Sequence, residues 1–172
     1  VQNITEKPEK LDISSKILDE IQKGMFSVVN DFDGTAFKSR TYAQEFSLAG
    51  KTGTAQVRRI TSLEREQGVT KNEDLPWNKR DHALFTGYAP YENPRYAISV
   101  VVEHGGGGSA VAAPIARDIL LFAKFGRLPP LSAYPPDQRR EVESKFRDLN
   151  FDNFNNFLPP KNISENTSET QT

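Results

Sequence analysis

Two short runs rich in β-branched and aromatic residues, ALFTGYA at 83–89 and YAISVVVE at 96–103, are joined by PYENPR. The prolines and asparagine of that link favour turn conformations, so the two runs cannot merge into one helix. They read as the arms of an antiparallel hairpin. The stretch at 46–59, FSLAGKTGTAQVRR, reads as a third strand, and the charged segment 60–81, with Gly68, Pro76 and Trp77, as a long loop. Helical patterns flank this strand set. Ile13, Ile17, Ile21 and Met25 recur every four residues, with Leu18, Val28 and Val29 widening the stripe. Gly24 weakens that helix unless a packed neighbour requires it, and Asn30-Asp31-Phe32-Asp33-Gly34 ends it with turn chemistry. A second helix is expected over 112–125, with Ile115, Ile119, Leu120 and Phe122 on its apolar side and Gly126 as its stop. Gly105 to Gly108 read as a flexible corner before it.

The predicted fold class is therefore α+β, an antiparallel sheet of about three strands flanked by helices. Residues 1–12 read as a polar lead-in and 13–128 as the domain. Residues 129–172 read as a Pro/Asn/Ser-rich tail, largely disordered, with one short helical pattern at Val142, Phe146 and Leu149.

At 172 residues there is enough chain for a core. The net charge of −1 supplies no field to attract nucleic acid or anionic lipid. The absence of cysteine removes disulfides, thiolate nucleophiles and Cys-based metal sites. His82 and His104 have no metal-ligand spacing, and neither a metal nor another cofactor is expected. No apolar run reaches the length of a membrane-spanning helix, and no signal peptide opens the sequence.

Four motifs compete for a function. Gly50-Lys51-Thr52 ends like a phosphate-binding P-loop, but the glycine required five residues before the Gly-Lys pair is Glu45, and strand-like residues follow instead of a helix. Asp31-x-Asp33-Gly34-Thr35 resembles a phosphatase nucleophile motif, yet the residues before it have helical periodicity, not those of a buried strand. The glycine run at 105–108 lacks the last glycine of a dinucleotide loop, since that slot is Ala110. Lys51-Thr52-Gly53 on a strand remains. A lysine ammonium can hold a carboxylate, threonine hydroxyls add hydrogen bonds, and glycine leaves room for a ligand along the strand. A backbone N–H just beyond can face a developing oxyanion. Taken alone, such a triplet also fits a solvated strand start.

Context decides. GMFSVVN at 24–30, GTA at 34–36, LAGKTGTAQV at 48–57 and the run from RDHALFTGYA to AAPIARDIL at 80–120 resemble, together and in order, the class B penicillin-binding proteins. The likeness is strongest to their elongation-type group, penicillin-binding protein 2, which are peptidoglycan D,D-transpeptidases, and covers roughly residues 10–128. It implies part of the penicillin-binding, serine β-lactamase-like fold. It implies that Lys51 is a supporting catalytic group and that Lys51, Thr52, Gly53 and Thr54 bind the carboxylate of a peptidoglycan stem peptide or of a β-lactam. Thr54 would also give its N–H to the oxyanion hole. The loop from 58 to 81 would lie beside the cleft. It further implies the periplasmic face of a bacterial inner membrane, reached through an N-terminal anchor this sequence does not show.

One departure matters. The family pattern S-x-x-K supplies the acylated serine and its activating lysine, with S-x-N after it, both before K-T-G. No serine here has lysine three positions on, and the single S-x-N, Ser164-Glu165-Asn166, follows Lys51. The expectation is a C-terminal piece of the transpeptidase domain, inactive alone, whose partner is the missing N-terminal part. Its last strand would then expose an edge. The alternative is a non-catalytic binding module of the same fold.

Overall fold

The computed structural model describes residues 12–149. Helix α1 (Ser15–Asn30) starts at Ser14, whose hydroxyl accepts from the Ile17 amide, and closes at Asp31, whose N–H bonds the Ser27 carbonyl. Asp31 thus serves as a helix end, in agreement with the periodicity. The chain then folds back on the helix: Gly34 N–H donates to Asp31 O and Ala36 N–H to Val28 O, each at 2.9 Å. A Cβ on Gly34 would lie 2.5 Å from the Ser27 and Val28 carbonyl oxygens, so the tight turn requires glycine. The apolar stripe of α1 is only partly used. Val29 is buried, while Ile13, Ile17, Leu18 and Ile21 stay exposed. No neighbour explains Gly24 among the described residues, for a Cβ there would meet nothing within 4 Å.

The sheet holds β1 (Ala49–Ala55), β2 (His82–Ala89) and β3 (Tyr96–Val102) in that order, antiparallel throughout. Strand β1 is shorter than the expected 46–59. Register puts Thr52 opposite Phe85 and Phe85 opposite Val100. Directly opposed residues share a face. Gly50, Thr52, Thr54, Ala83, Phe85, Ile98 and Val100 therefore lie on one side, and Lys51, Gly53, Leu84, Thr86, Ser99 and Val101 on the other. The first side is the core: Ala83, Phe85 and Ala89 pack with Ala113, Ala116, Leu120 and Leu121 of α3 (Ala113–Phe125). On the second side Thr86 and Val101 are exposed. Helix α3 ends at Gly126 in the left-handed region, φ 61°.

Three expectations need correction. The 60–81 segment contains α2 (Ser62–Gln67), started by a Thr61–Glu64 capping box. The glycine corner is packed rather than loose, because Gly108 opens a π-helical turn (Gly108–Ala112) wedged against the sheet. The boundary at 128 falls inside the packed unit. Beyond it Ala133 and Tyr134 are buried, Tyr42 N–H donates to Ala133 O, and Val142 of α4 (Arg139–Asp148) joins the core. Arg117, 4% exposed, fastens this segment through Gln138 at 2.7 Å and the Tyr134 ring at 4.8 Å. Residues 1–11 of the lead-in and the sequence from 150 onward, including Ser164-Glu165-Asn166, lie outside the described residues.

Candidate active site

Strand β1 is an edge of the three-stranded sheet, paired among the described residues only with β2. Its free side can be identified from its hydrogen bonds. The Leu48 carbonyl accepts from Asn30 Nδ2 at 2.9 Å, and the Thr52 carbonyl accepts from Lys51 Nζ at 2.8 Å. The Ser47 carbonyl instead accepts from the Tyr91 N–H, just past β2, at 2.9 Å, so the backbone groups of the odd-numbered residues of this stretch face β2 and those of the even-numbered ones face away. In an extended strand, residues two apart aim their N–H and C=O groups the same way. The N–H groups of Thr52 and Thr54 therefore face the open edge, without a backbone partner among the described residues. Unpaired donors of this kind receive an extended peptide or an anion.

The four sequence-predicted residues converge on that edge from two faces. Lys51 and Thr54 are exposed, and Thr52 and Gly53 are half-buried. The Lys51 side chain starts from the Gly53 face, yet its ammonium curls round to the edge carbonyl of Thr52. It has no carboxylate partner among the described residues. Thr52 and Thr54 bring hydroxyls from the opposite face. Thr52 Oγ1 lies 3.1 Å from Thr35 Oγ1, in the turn after α1. Thr35 carried no role in the sequence analysis. It stood only in the GTA triplet and at the end of the phosphatase-like pattern from Asp31, and the contact spans 17 positions of sequence.

Why this strand is so poor in side chains is a packing matter. The Phe85 ring, 1% exposed, lies under Gly50 and Gly87. A Cβ on Gly50 would stand 2.2 Å from Phe85 Cζ, and one on Gly87 2.8 Å from Phe85 Cε1. At Gly53 the nearest atom to an added Cβ is Leu84 Cβ at 3.2 Å, a milder contact. The stricter demand near Gly53 comes from Gly108, whose Cβ would sit 2.4 Å from Gly53 O and 2.3 Å from Leu84 O. The glycines at 50, 87 and 108 thus let neighbouring core atoms approach the sheet closely at β1, a requirement that residue identity alone did not reveal.

Past β1, the segment to residue 81 is cross-braced. Asp81 accepts from Val57 N–H and Asn72 Nδ2, and its own N–H donates to Asn72 Oδ1 at 2.8 Å. Arg58 bonds both Glu64 oxygens at 2.8 Å. That bond, then the Thr61 N–H, holds the Glu64 carboxyl below the usual carboxylate range. A depression of about 480 Å³ lined by Gln56, Arg59 and Thr61 follows the strand, and Lys51 is not part of it. The histidines are structural. His104 N–H donates to His82 Nδ1, and His104 Nδ1 bonds Arg80 O, each at 2.9 Å, with Trp77 edge-on to His104. Among the described residues no group of His, Cys, Asp or Glu could hold a metal ion, and no helix is long and apolar enough to cross a membrane.

Residues 2–121 match the penicillin binding protein transpeptidase domain model. The chain is similar to the peptidoglycan D,D-transpeptidase MrdA of Haemophilus influenzae, 37% identical over 131 residues, covering 75% of this chain and 19% of the relative. It is similar to MrdA of Escherichia coli K12, 38% identical over 120 residues, covering 70% of this chain and 18% of the relative. Among solved structures it resembles a complex between the penicillin-binding protein PBP2 and MreC from Helicobacter pylori. There the TM-score is 0.54 at 34% identity, over 72% of this chain and 21% of that one. The chain thus spans about a fifth of the length of the curated relatives it matches.

Proposed function

The chain belongs to the penicillin-binding protein transpeptidase family, and from that premise we propose that β1 is the carboxylate-binding wall of a peptidoglycan D,D-transpeptidase active site. The observation that carries this reading is the open edge itself. An ammonium, two hydroxyls and outward N–H groups meet there with no carboxylate partner among the described residues. The ligand is the C-terminal carboxylate of a peptidoglycan stem peptide, or the equivalent group of a β-lactam. Lys51 pairs with it and supports proton transfer as a secondary catalytic group. Thr52 and Thr54 donate hydroxyl hydrogen bonds to it. The Thr54 N–H supplies one donor of the oxyanion hole, and Gly53 leaves the strand open.

Acyl transfer in this family needs a serine nucleophile activated by lysine. The given sequence contains no serine with lysine three positions on. The nucleophile therefore comes from a further part of the transpeptidase domain, on the same or another chain. Two features fit such a neighbour: the outer edge of β3, unpaired among the described residues, and the exposed stripe Ile13, Ile17, Leu18 and Ile21. By the same reading the protein works on the periplasmic face of a bacterial inner membrane.

Labelling with a fluorescent penicillin, read by intact mass, tests this. The 172-residue chain alone is expected to take no covalent label. Supplied with the S-x-x-K-bearing remainder of the domain, the complex is expected to take one label, on that remainder. A stable adduct on the isolated chain would overturn the assignment of the nucleophile. Reversible penicillin binding lost in Lys51→Ala, with no label in the complex, would favour the non-catalytic binding module.

A further inference from the structure

Resting on the reading of Thr52 as a carboxylate ligand, we propose that Thr35 is a positioning residue for that site, orienting the Thr52 hydroxyl so that its proton faces the open edge. The geometry is specific. Thr35 Oγ1 lies 3.1 Å from Thr52 Oγ1, and among the described residues neither side chain makes another hydrogen bond. The turn that carries Thr35 is held on both sides. Gly34 sits too close to the Ser27 and Val28 carbonyls to accept a Cβ. Ala36, 1% exposed, bonds the Val28 carbonyl through its N–H. Thr35 thus stands on a fixed base, although its own side chain is exposed.

Proton direction gives the contact its consequence. A hydroxyl donates one hydrogen and accepts through two lone pairs. If Thr52 donated to Thr35, only its lone pairs would face an arriving carboxylate, and the encounter would be repulsive. With Thr35 as donor, the Thr52 proton is released toward the edge, where the Lys51 ammonium already lies. A carboxylate selects that second arrangement, and Thr35 is the group that makes it available. Thr35 acts through Thr52 and need not touch the ligand.

The test uses the full chain, labelled for NMR, with N-acetyl-D-Ala-D-Ala as probe. Three-bond couplings to Thr52 Cγ2 report its χ1 rotamer without any ligand. Wild type and Thr35→Ser are expected to hold one rotamer, and Thr35→Val to average several. Thr35→Val should weaken probe binding about fivefold, the scale of one hydrogen bond. Thr35→Ser should restore it, and adding Thr35→Val to Thr52→Val should cost nothing more. Unchanged Thr52 couplings in Thr35→Val, or losses that add fully in the double variant, would overturn the proposal. Binding that depends on Lys51 but not on Thr35 sinks this inference alone. Binding that is absent, or indifferent to Lys51→Ala, sinks the carboxylate-site reading with it.

Discussion

Replacing Gly50 by alanine adds one methyl group where the core has no room for it. The new Cβ would stand 2.2 Å from Phe85 Cζ, 2.8 Å from Cε1 and 2.7 Å from the Thr86 carbonyl oxygen. That first distance is about 1.3 Å short of ordinary carbon–carbon contact. The ring is 1% exposed and lies against Gly87 as well, so it is enclosed by the core. The Thr86 oxygen belongs to the backbone of β2 and cannot yield without moving the strand. The expected cost lies at the upper end of the ~1–3 kcal/mol found for overpacking. Phe85→Leu removes the offending ring atoms and costs about 1–2 kcal/mol alone through the space it leaves. Together the two changes should cost less than their sum, by about 1–2 kcal/mol, because each relieves the other. Urea unfolding followed by far-UV circular dichroism measures the cycle. With a slope of ~2 kcal/mol per molar, Gly50→Ala alone should lower the midpoint by about 1.5 M. A variant within ~0.5 kcal/mol of wild type, or a double variant that loses the full sum, would refute the packing argument.

Two further outcomes follow from single residues. Gly24→Ala, in an α1 interior with open space around it, should stabilise the chain by about 0.5–1 kcal/mol in the same urea assay. A destabilised variant would reveal a neighbour at that position. Glu64 gives a pH test with a definite sign. Its folded pKa is depressed, first by the Arg58 hydrogen bond, so its stabilising effect is present above the unfolded value and is lost as pH falls through the folded one. Amide exchange of Glu64 and Arg65 should quicken beyond its intrinsic pH dependence below about pH 4. Glu64→Gln should remove that acid step, and an unchanged step would contradict the assignment.

Much of the fold could be read from local patterns. The prolines at 90 and 94 mark the hairpin, α1 ends at the Asn30-Asp31 turn residues that were expected to close it, and Gly126 stops α3 where it was placed. These are short-range signals, in which the residue type carries its own backbone preference. The failures have another character. Thr61 and Glu64 are a capping box in plain sight, outweighed by the charged residues around them. Tyr134 and Pro135 sit in a proline-rich stretch that resembles a linker, yet they are among the largest buried side chains. Their burial depends on Arg117 and Tyr42, distant in sequence. The site divides the same way. Lys51, Thr52, Gly53 and Thr54 are contiguous and visible as a motif, whereas Thr35, Phe85 and Gly108 meet them only through tertiary contacts. Half of α1's stripe remains exposed, because periodicity shows that a face is apolar but not what covers it.

The most direct test of β1 as a carboxylate-binding wall is an amide chemical-shift titration of the chain with N-acetyl-D-Ala-D-Ala. Shifts should concentrate on residues 50–55, with the largest at Thr52 and Thr54, whose N–H groups face the open edge. Lys51→Ala should weaken binding by about tenfold, or ~1.4 kcal/mol, for loss of one charge-assisted contact at an exposed site. Capping the probe's carboxylate as an amide should weaken wild-type binding by more than that, and weaken the variant by less than the wild type, because Thr52 and Thr54 also donate to the carboxylate. Shifts scattered away from β1, or an affinity indifferent to both Lys51 and the probe's carboxylate, would contradict the assignment.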